Sequence, residues 1–232
     1  MRLKTRKKSV VFRRLVRPPK PLVPHLLSSS SFLRLQLGTR LSSKLRFGNV
    51  GSTMRSRYRI LEPGKAHFVT ATIATIVEWL PVFNQAVCCE IVVRSLEYCR
   101  VRKGLKIYAW VILDNHIHAI LAAPDLSATL RDLKSFTAAE ILEHLKTVPG
   151  EWLLNQLRHF RAGHKMNEFQ VWQEGSHPQA ISGDEMMQQK LDYLHNNPVK
   201  RGWVASPEHW RWSSAHEWLA GAAPVLRCDA WR

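Results

Sequence analysis

From residue 65 onward the chain alternates between blocks of apolar residues with strand-like and helix-like periods. Lys65 to Ile73 (K-A-H-F-V-T-A-T-I) follows the turn-forming pair Pro63-Gly64 and is rich in β-formers, which predicts a first strand. Phe83 to Lys103 carries Phe83, Val87, Cys88, Ile91, Val92 and Cys99 largely at helical spacing, with Gly104 placed to stop the helix. Leu105 to Leu113 and His116 to Ala122 read as second and third strands, and Asp114-Asn115 between them has the chemistry of a two-residue hairpin turn. Asp125 or Ser127 is placed to cap a helix running to about Thr147, with Leu130, Leu133, Phe136 and Ile141 largely on one stripe. Residues 148–170 scatter basic and aromatic residues without a period and predict a partly ordered loop. Val171 to Ile181 supplies a fourth strand, which Pro178 assigns to a sheet edge. Ser182-Gly-Asp-Glu185 has the form of a capping box, so a helix is expected from there to Asn197, before Pro198.

Strand, helix, strand, strand, helix, strand, helix is the split β-α-β order of an α+β, ferredoxin-like (RRM-like) fold. Its antiparallel sheet carries helices over one face. Composition divides the 232 residues differently. Residues 1–53 hold 13 of the 34 Lys and Arg and no Asp or Glu, whereas the rest of the chain holds the other 21 and all 18 acidic residues. The formal charge of +16 therefore sits mostly in the first 53 residues, and the remainder is nearly balanced at +3. With Pro18, Pro19, Pro21, Pro24 and the tract Ser28 to Ser31, that segment reads as a disordered basic leader. An organelle transit peptide, a nucleic-acid-binding arm and a translation start set too early all fit it, and Met54, where globular composition begins, is the favoured start. A domain over 54–220 and a C-terminal tail over 221–232 complete the division. No run of about 18 apolar residues exists, which excludes a membrane-spanning helix by pattern. Cys88, Cys89, Cys99 and Cys228 lack metal-type spacing and are too few for a disulfide scaffold, which fits a reducing compartment.

Two places carry chemistry. His116-Ile117-His118 lies on the third strand, where alternation sends both imidazoles to one face and Ile117 to the other. Such a pair makes a good divalent-metal chelate, and equally a pair of half-buried, hydrogen-bonded histidines at a sheet end. On the helix that follows residue 182, Tyr193 and Asn197 are one turn apart, on a face shared with Lys190 and Met186. If that helix crosses the sheet face bearing the histidines, two imidazoles, an amide oxygen and a phenol surround a hard cation. The cation polarises a phosphodiester and the phenolate attacks it. Asp114 reads as a turn former or a carboxylate near the metal. His195 reads as a cap or a DNA contact, and Lys200 and Arg201 as phosphate contacts or a solvated pair. Trp203, Trp210, Trp212 and Trp218 suit stacking on unpaired bases or, more commonly, fastening a C-terminal tail to its domain.

I-L-D-N-H-I-H-A-I-L, L-K-S-F-T-A, V-W-Q-E-G, Y-L-H-N-N-P-V-K-R-G-W-V and W-R-W-S-S-A, in this order, resemble the transposases associated with repetitive extragenic palindromes. These are single-tyrosine members of the HUH endonuclease superfamily. The resemblance spans about Met54 to Trp218. It implies that His116, His118 and Asn197 bind Mg²⁺ or Mn²⁺ and that Tyr193 is the nucleophile, forming a 5′-phosphotyrosine link and freeing a 3′-OH. It also implies single-stranded DNA with hairpin or palindromic repeats as partner; Lys190, Lys200 and Arg201 are candidate DNA contacts read from the chain itself. A bacterial, cytoplasmic, nucleoid-associated setting and a monomer or homodimer go with it. One departure is plain: Leu113-Asp114-Asn115 stands where the family usually has Met-Pro-Asn, and loss of the proline is expected to loosen the hairpin turn.

Three function classes follow: a strand-cleaving and rejoining enzyme, a non-catalytic single-stranded nucleic-acid-binding module, and a metallohydrolase in which water attacks. The tyrosine one turn before a ligand-capable amide favours the first over the third, and the histidine pair favours it over the second. Because residues 1–53 have no core pattern, deleting them is expected to leave cooperative unfolding unchanged while weakening non-specific DNA binding and its salt dependence. Circular dichroism melts and salt titrations of the protein starting at Met54 check this; an insoluble or unfolded product contradicts it.

Overall fold

The computed structural model describes residues 60, 63–73, 80–159, 167–176 and 178–231. The leader and the Met54 start lie outside the described residues. Four strands, β1 (His67–Thr72), β2 (Lys106–Ile112), β3 (His116–Ala122) and β4 (Gln179–Ala180), form one sheet in the order β2-β3-β1-β4. Each neighbouring pair is antiparallel, as the split β-α-β order requires. Helices α1 (Ala86–Lys103), α2 (Leu126–Thr147), α3 (Trp152–His159), α4 (Asp184–His195), α5 (Asn197–Lys200) and α6 (Ala215–Ala220) complete the fold.

Side-chain alternation along the strands makes two cores. Val69, Ile107, Trp110, Ile112, Ile117, Ala119 and Leu121 point to one face and pack against α1 and α2. Phe68, Ala109, Val111, Leu113 and Ile120 point to the other, where Met187, Leu191 and Leu194 of α4 cover them, so helices lie over both faces rather than the one expected. The phase changes once in β2. A register shift between Ile107 and Ala109 lets Tyr108 and Ala109 face the same way, the signature of a bulge.

Local chemistry explains most element ends. Gly104 stops α1 in the left-handed conformation, φ 63°, which disfavours any residue with a Cβ. Asp125 caps α2, its carboxylate accepting from the Ala128 N–H at 2.8 Å. Other expectations need correction. The edge strand, expected over 171–181, is reduced to the two residues of β4, and Trp172 pairs only as an isolated bridge to Ile73. No capping box forms before α4: the N-cap is Gly183, and the Ser182 hydroxyl contacts the Met186 sulfur at 3.4 Å. The helix ends at His195, and Pro198 sits in the first turn of α5, where its missing N–H is not needed. Within 148–170, expected as loop, Trp152–His159 is helical, with Leu157 buried. Val87 and Phe136, assigned to buried stripes by spacing, are 41% and 59% exposed. Cys88 and Cys89 are buried thiols, pushed up to about 11 and 12 by desolvation, and behave as small apolar side chains. Among the described residues no helix is long and apolar enough to cross a membrane.

The residues after Gly202 seal the outer edge of β2. Ile112 donates its N–H to the Trp212 carbonyl at 2.8 Å and accepts from the Trp210 indole at 2.9 Å. The Trp110 carbonyl accepts from the Ser214 N–H at 2.9 Å, and the Tyr108 carbonyl from the Trp218 indole at 3.1 Å. Asp229 closes the far end, donating its N–H to the Ile107 carbonyl and accepting the Ile107 N–H on its carboxylate, both at 2.7 Å. Residues 221–231 thus share the hydrogen bonding of the sheet, and the tryptophans Trp210, Trp212 and Trp218 fasten the segment rather than presenting a free ladder. Truncation after Gly221 removes the buried Leu226 and strands the Ile107 backbone and the Trp110 indole N–H. A loss of roughly 3 kcal/mol or more in urea denaturation is expected, with self-association through the opened edge seen by light scattering. An unchanged midpoint would show that the strap contributes nothing.

Candidate active site

The register of β1 and β3 builds the site floor. Thr70 lies opposite His118 and Thr72 opposite His116, so these four side chains share the sheet face that α4 crosses. The two imidazoles stand edge to face with ring centres 4.7 Å apart. His118 is 5% exposed, stacks on Phe68 at 5.3 Å and meets the Thr70 hydroxyl with Nδ1 at 2.9 Å. Nδ1 of His116 lies 2.6 Å from the side-chain oxygen of the buried Asn115, an acceptor, so Nδ1 carries the proton and Nε2 the lone pair.

Burial is the largest cause of the low proton affinity of both rings. Desolvation, then the Arg201 charge, takes His116 down to about 4 against an opposing pull from Asp114. Desolvation, then His116, Arg201 and Lys190, takes His118 to about 3. Both rings are therefore neutral at physiological pH, the form that ligates a metal.

Helix α4 brings the phenol. Leu191 and Leu194 anchor it on the sheet, and the same rotation leaves Tyr193 outward and 42% exposed. Its ring lies 5.4 Å from that of His118 and 5.8 Å from Phe68, edge-on to both. Lys190, one turn earlier, holds its ammonium 4.9 Å over Phe68, and Lys200 on α5 holds its own 5.5 Å over the Tyr193 ring. Asn197 donates its amide N–H to the Tyr193 carbonyl at 2.8 Å, so its oxygen is the end left for a ligand. Tyr193, His116, His118, Lys190 and Lys200 are thus gathered around one end of the sheet face. Among the described residues no three His, Cys, Asp or Glu side chains cluster as a metal site.

Two residues take roles that spacing did not reveal. His195 is buried and its Nε2 meets Ser214 Oγ at 2.8 Å; Ser214 Oγ in turn accepts the Trp110 N–H at 3.0 Å. It neither caps the helix nor faces solvent, but ties α4 to the β2 edge. Asp114 pairs with Arg201 at 3.1 Å, and its carbonyl accepts the Phe83 N–H at 2.9 Å. The turn expected to be loosened by the absent proline is held by these contacts instead. A turn carboxylate invites a cationic partner, but Arg201 is 87 residues away and no local signal points to it.

No family model matches the chain. Two curated proteins are similar to it. The REP-associated tyrosine transposase of Escherichia coli K12 is 29% identical over 129 residues, 53% of this chain and 62% of that protein. A putative REP-associated tyrosine transposase of Haemophilus influenzae is 30% identical over 106 residues, 45% of this chain and 56% of that protein. The chain thus matches less than two thirds of the length of either relative. Its fold is similar to a solved structure of the REP-associated tyrosine transposase bound to a REP hairpin, with TM-score 0.51 and 20% identity over 76% of this chain and 93% of that one. The resemblance read from the motifs is therefore shared with curated relatives of that name, and the α+β architecture with a solved one.

Folding holds His116, His118 and His195 neutral, at about 4, 3 and 4 against 6.5 for the free side chain. Between pH 6.5 and 4 the unfolded chain takes up protons that the folded one refuses. The stability these neutral rings contribute is fully present above pH 6.5 and is lost as pH falls toward their folded values. Urea midpoints measured from about pH 7 down to about 4.5 should decline, with His195→Gln flattening its share, on the order of 1–3 kcal/mol. A flat profile for the native sequence would contradict the buried neutral histidines.

Proposed function

We propose that this chain is a metal-dependent, single-tyrosine strand transferase that cleaves single-stranded DNA at hairpin repeats. The observation that carries the reading is the Tyr193 ring 5.4 Å from His118, beside the His116–His118 pair. The names of the two curated relatives support the transposase class, and the REP hairpin bound to the solved neighbour supports the choice of DNA.

The donor set fits a divalent cation. His116 and His118 offer neutral imidazoles whose Nδ1 atoms are oriented by Asn115 and Thr70, the outer hydrogen bonds that steady metal-bound histidines. Asn197 would add an amide oxygen. A bound Mg²⁺ or Mn²⁺ would supply Lewis-acid polarisation of the scissile phosphate.

The protein's own groups account for the rest. Lys190 and Lys200 attract the phosphodiester to the rim of the site, and Phe68 packs the tyrosine ring in place. The Tyr193 hydroxyl attacks phosphorus. A bond forms between its oxygen and phosphorus as the bond from phosphorus to the 3′ oxygen breaks. The phenol proton passes through solvent to the departing oxygen, leaving a 3′-OH and a 5′-phosphotyrosine. Attack by a 3′-OH reverses the step, releases the phenol and joins the strands. The number of phosphoester bonds is unchanged, so no energy source is required.

Tyr193→Phe keeps the ring and should melt like the native protein, because the side chain is partly exposed and the ring contacts are retained. Adduct with labelled hairpin oligonucleotide in Mn²⁺ should disappear on denaturing gels while affinity persists, an all-or-none loss. Alanine at both His116 and His118 should abolish cleavage and spare much of the binding. Adduct from the Tyr193→Phe protein, or full activity in EDTA, would overturn the proposal; cleavage without adduct would favour attack by water.

A further inference from the structure

From the contacts between the hairpin turn and the segment after α5, we infer that Asp114 and Arg201 form a positioning pair that fixes the tyrosine helix relative to the histidine strand. The inference deepens the proposed reaction and rests on it.

Asp114 occupies the two-residue turn joining β2 to β3, and Arg201 is the residue on which α5 ends. Their side chains meet at 3.1 Å, and both are only about a fifth exposed, 20% and 22%. On either side of this contact the bonds run directly to the reacting groups. The Arg201 N–H donates to the Asn197 carbonyl at 3.2 Å, and the Asn197 amide donates to the Tyr193 carbonyl at 2.8 Å. Beyond Asp114 the next residue, Asn115, orients His116 through the 2.6 Å contact. The ion pair therefore bridges the two short backbone stretches on which nucleophile and imidazoles sit.

Both partners are themselves held. The turn is pinned by the Phe83 N–H on the Asp114 carbonyl and the Ile73 N–H on the Asn115 carbonyl, both at 2.9 Å. The Arg201 guanidinium lies 4.9 Å over the Trp203 ring, which leans on Trp210 at 5.2 Å, and the Trp210 indole is bonded to the Ile112 carbonyl. Two supported groups that meet across elements 87 residues apart define a distance, whereas two mobile surface charges would not. Removing a partner disturbs the placement of Tyr193 without touching the phenol, the phosphate or the imidazole nitrogens.

The test compares Asp114→Asn, Arg201→Gln and the double variant in the full chain, with Tyr193→Phe as the control for the underlying reaction. Single-turnover adduct formation should fall roughly tenfold to a hundredfold in each single variant, while the oligonucleotide affinity of Asp114→Asn stays within about twofold and thermal midpoints barely move. The double variant should be no slower than the worse single, because both remove the same contact. Hydrogen exchange supplies a readout independent of catalysis: the amides of Arg201, Gly202 and Trp203 should exchange faster in all three variants. Native adduct rates and exchange in the single variants, or losses that multiply in the double, would overturn the positioning pair. Adduct that survives Tyr193→Phe would instead remove the proposed reaction and leave the exchange result to stand by itself.

Discussion

Packing of α4 across the second face of the sheet is the contact on which the site depends. A helix has one buried stripe, and Met187, Leu191 and Leu194 commit it to Phe68, Val111 and Ile120. Once that stripe is fixed, rotation leaves no choice for the neighbours. Tyr193 faces outward over His118, and His195 faces inward to Ser214. The position of Tyr193 is thus a by-product of apolar burial one residue away. The strand pleat makes the matching statement from below: Ile117 enters the α1–α2 core, so His116 and His118 must face α4.

That arrangement has a geometric consequence at the sheet margin. With β3 in the middle, β2 is an edge strand whose outward N–H and C=O groups invite pairing with another chain. The segment from Trp210 to Asp229 meets them one by one, using indole N–H groups, a serine and a carboxylate as well as backbone. The serine that completes this edge also receives His195. Edge protection and helix placement therefore share an atom, Ser214 Oγ, so the C-terminal strap is part of what holds the tyrosine helix.

Much of this is legible in the chain because it depends on short-range periods. Alternation places the histidines on one face, the 3.6-residue period sets Tyr193 beside Asn197, and Gly104 and Asp125 mark their helix ends. The pattern misleads where a local signal meets a tertiary competitor. Ser182 resembles a cap, yet Gly183 takes the N-cap and the hydroxyl turns to Met186. Phe136 has the spacing of a core residue, but the buried stripe of α2 runs through Leu130, Thr137, Ile141 and Leu145, and Phe136, one residue before Thr137, rotates off it into solvent. The bulge at Tyr108, the strap on β2 and the Asp114–Arg201 pair join residues through backbone groups or single side chains, and no periodicity encodes such contacts.

Charge around the site serves two ends through one field. Arg201 and Lys190 lie close enough to the desolvated His118 to depress it further, and Lys190 with Lys200 puts positive charge at the rim of the same site. In a more solvated site these ends would conflict, because histidines that stay basic would take up protons as soon as phosphate approached. Burial resolves the conflict before any ligand binds, since desolvation is the largest cause of the shift in both rings. Under the proposed function, the lysines would attract phosphate without the histidines needing to do so. Asp114 alone opposes the trend near His116, and its carboxylate is engaged by Arg201. The ion pair at the turn therefore keeps a carboxylate next to the imidazoles from restoring the proton affinity that burial removes.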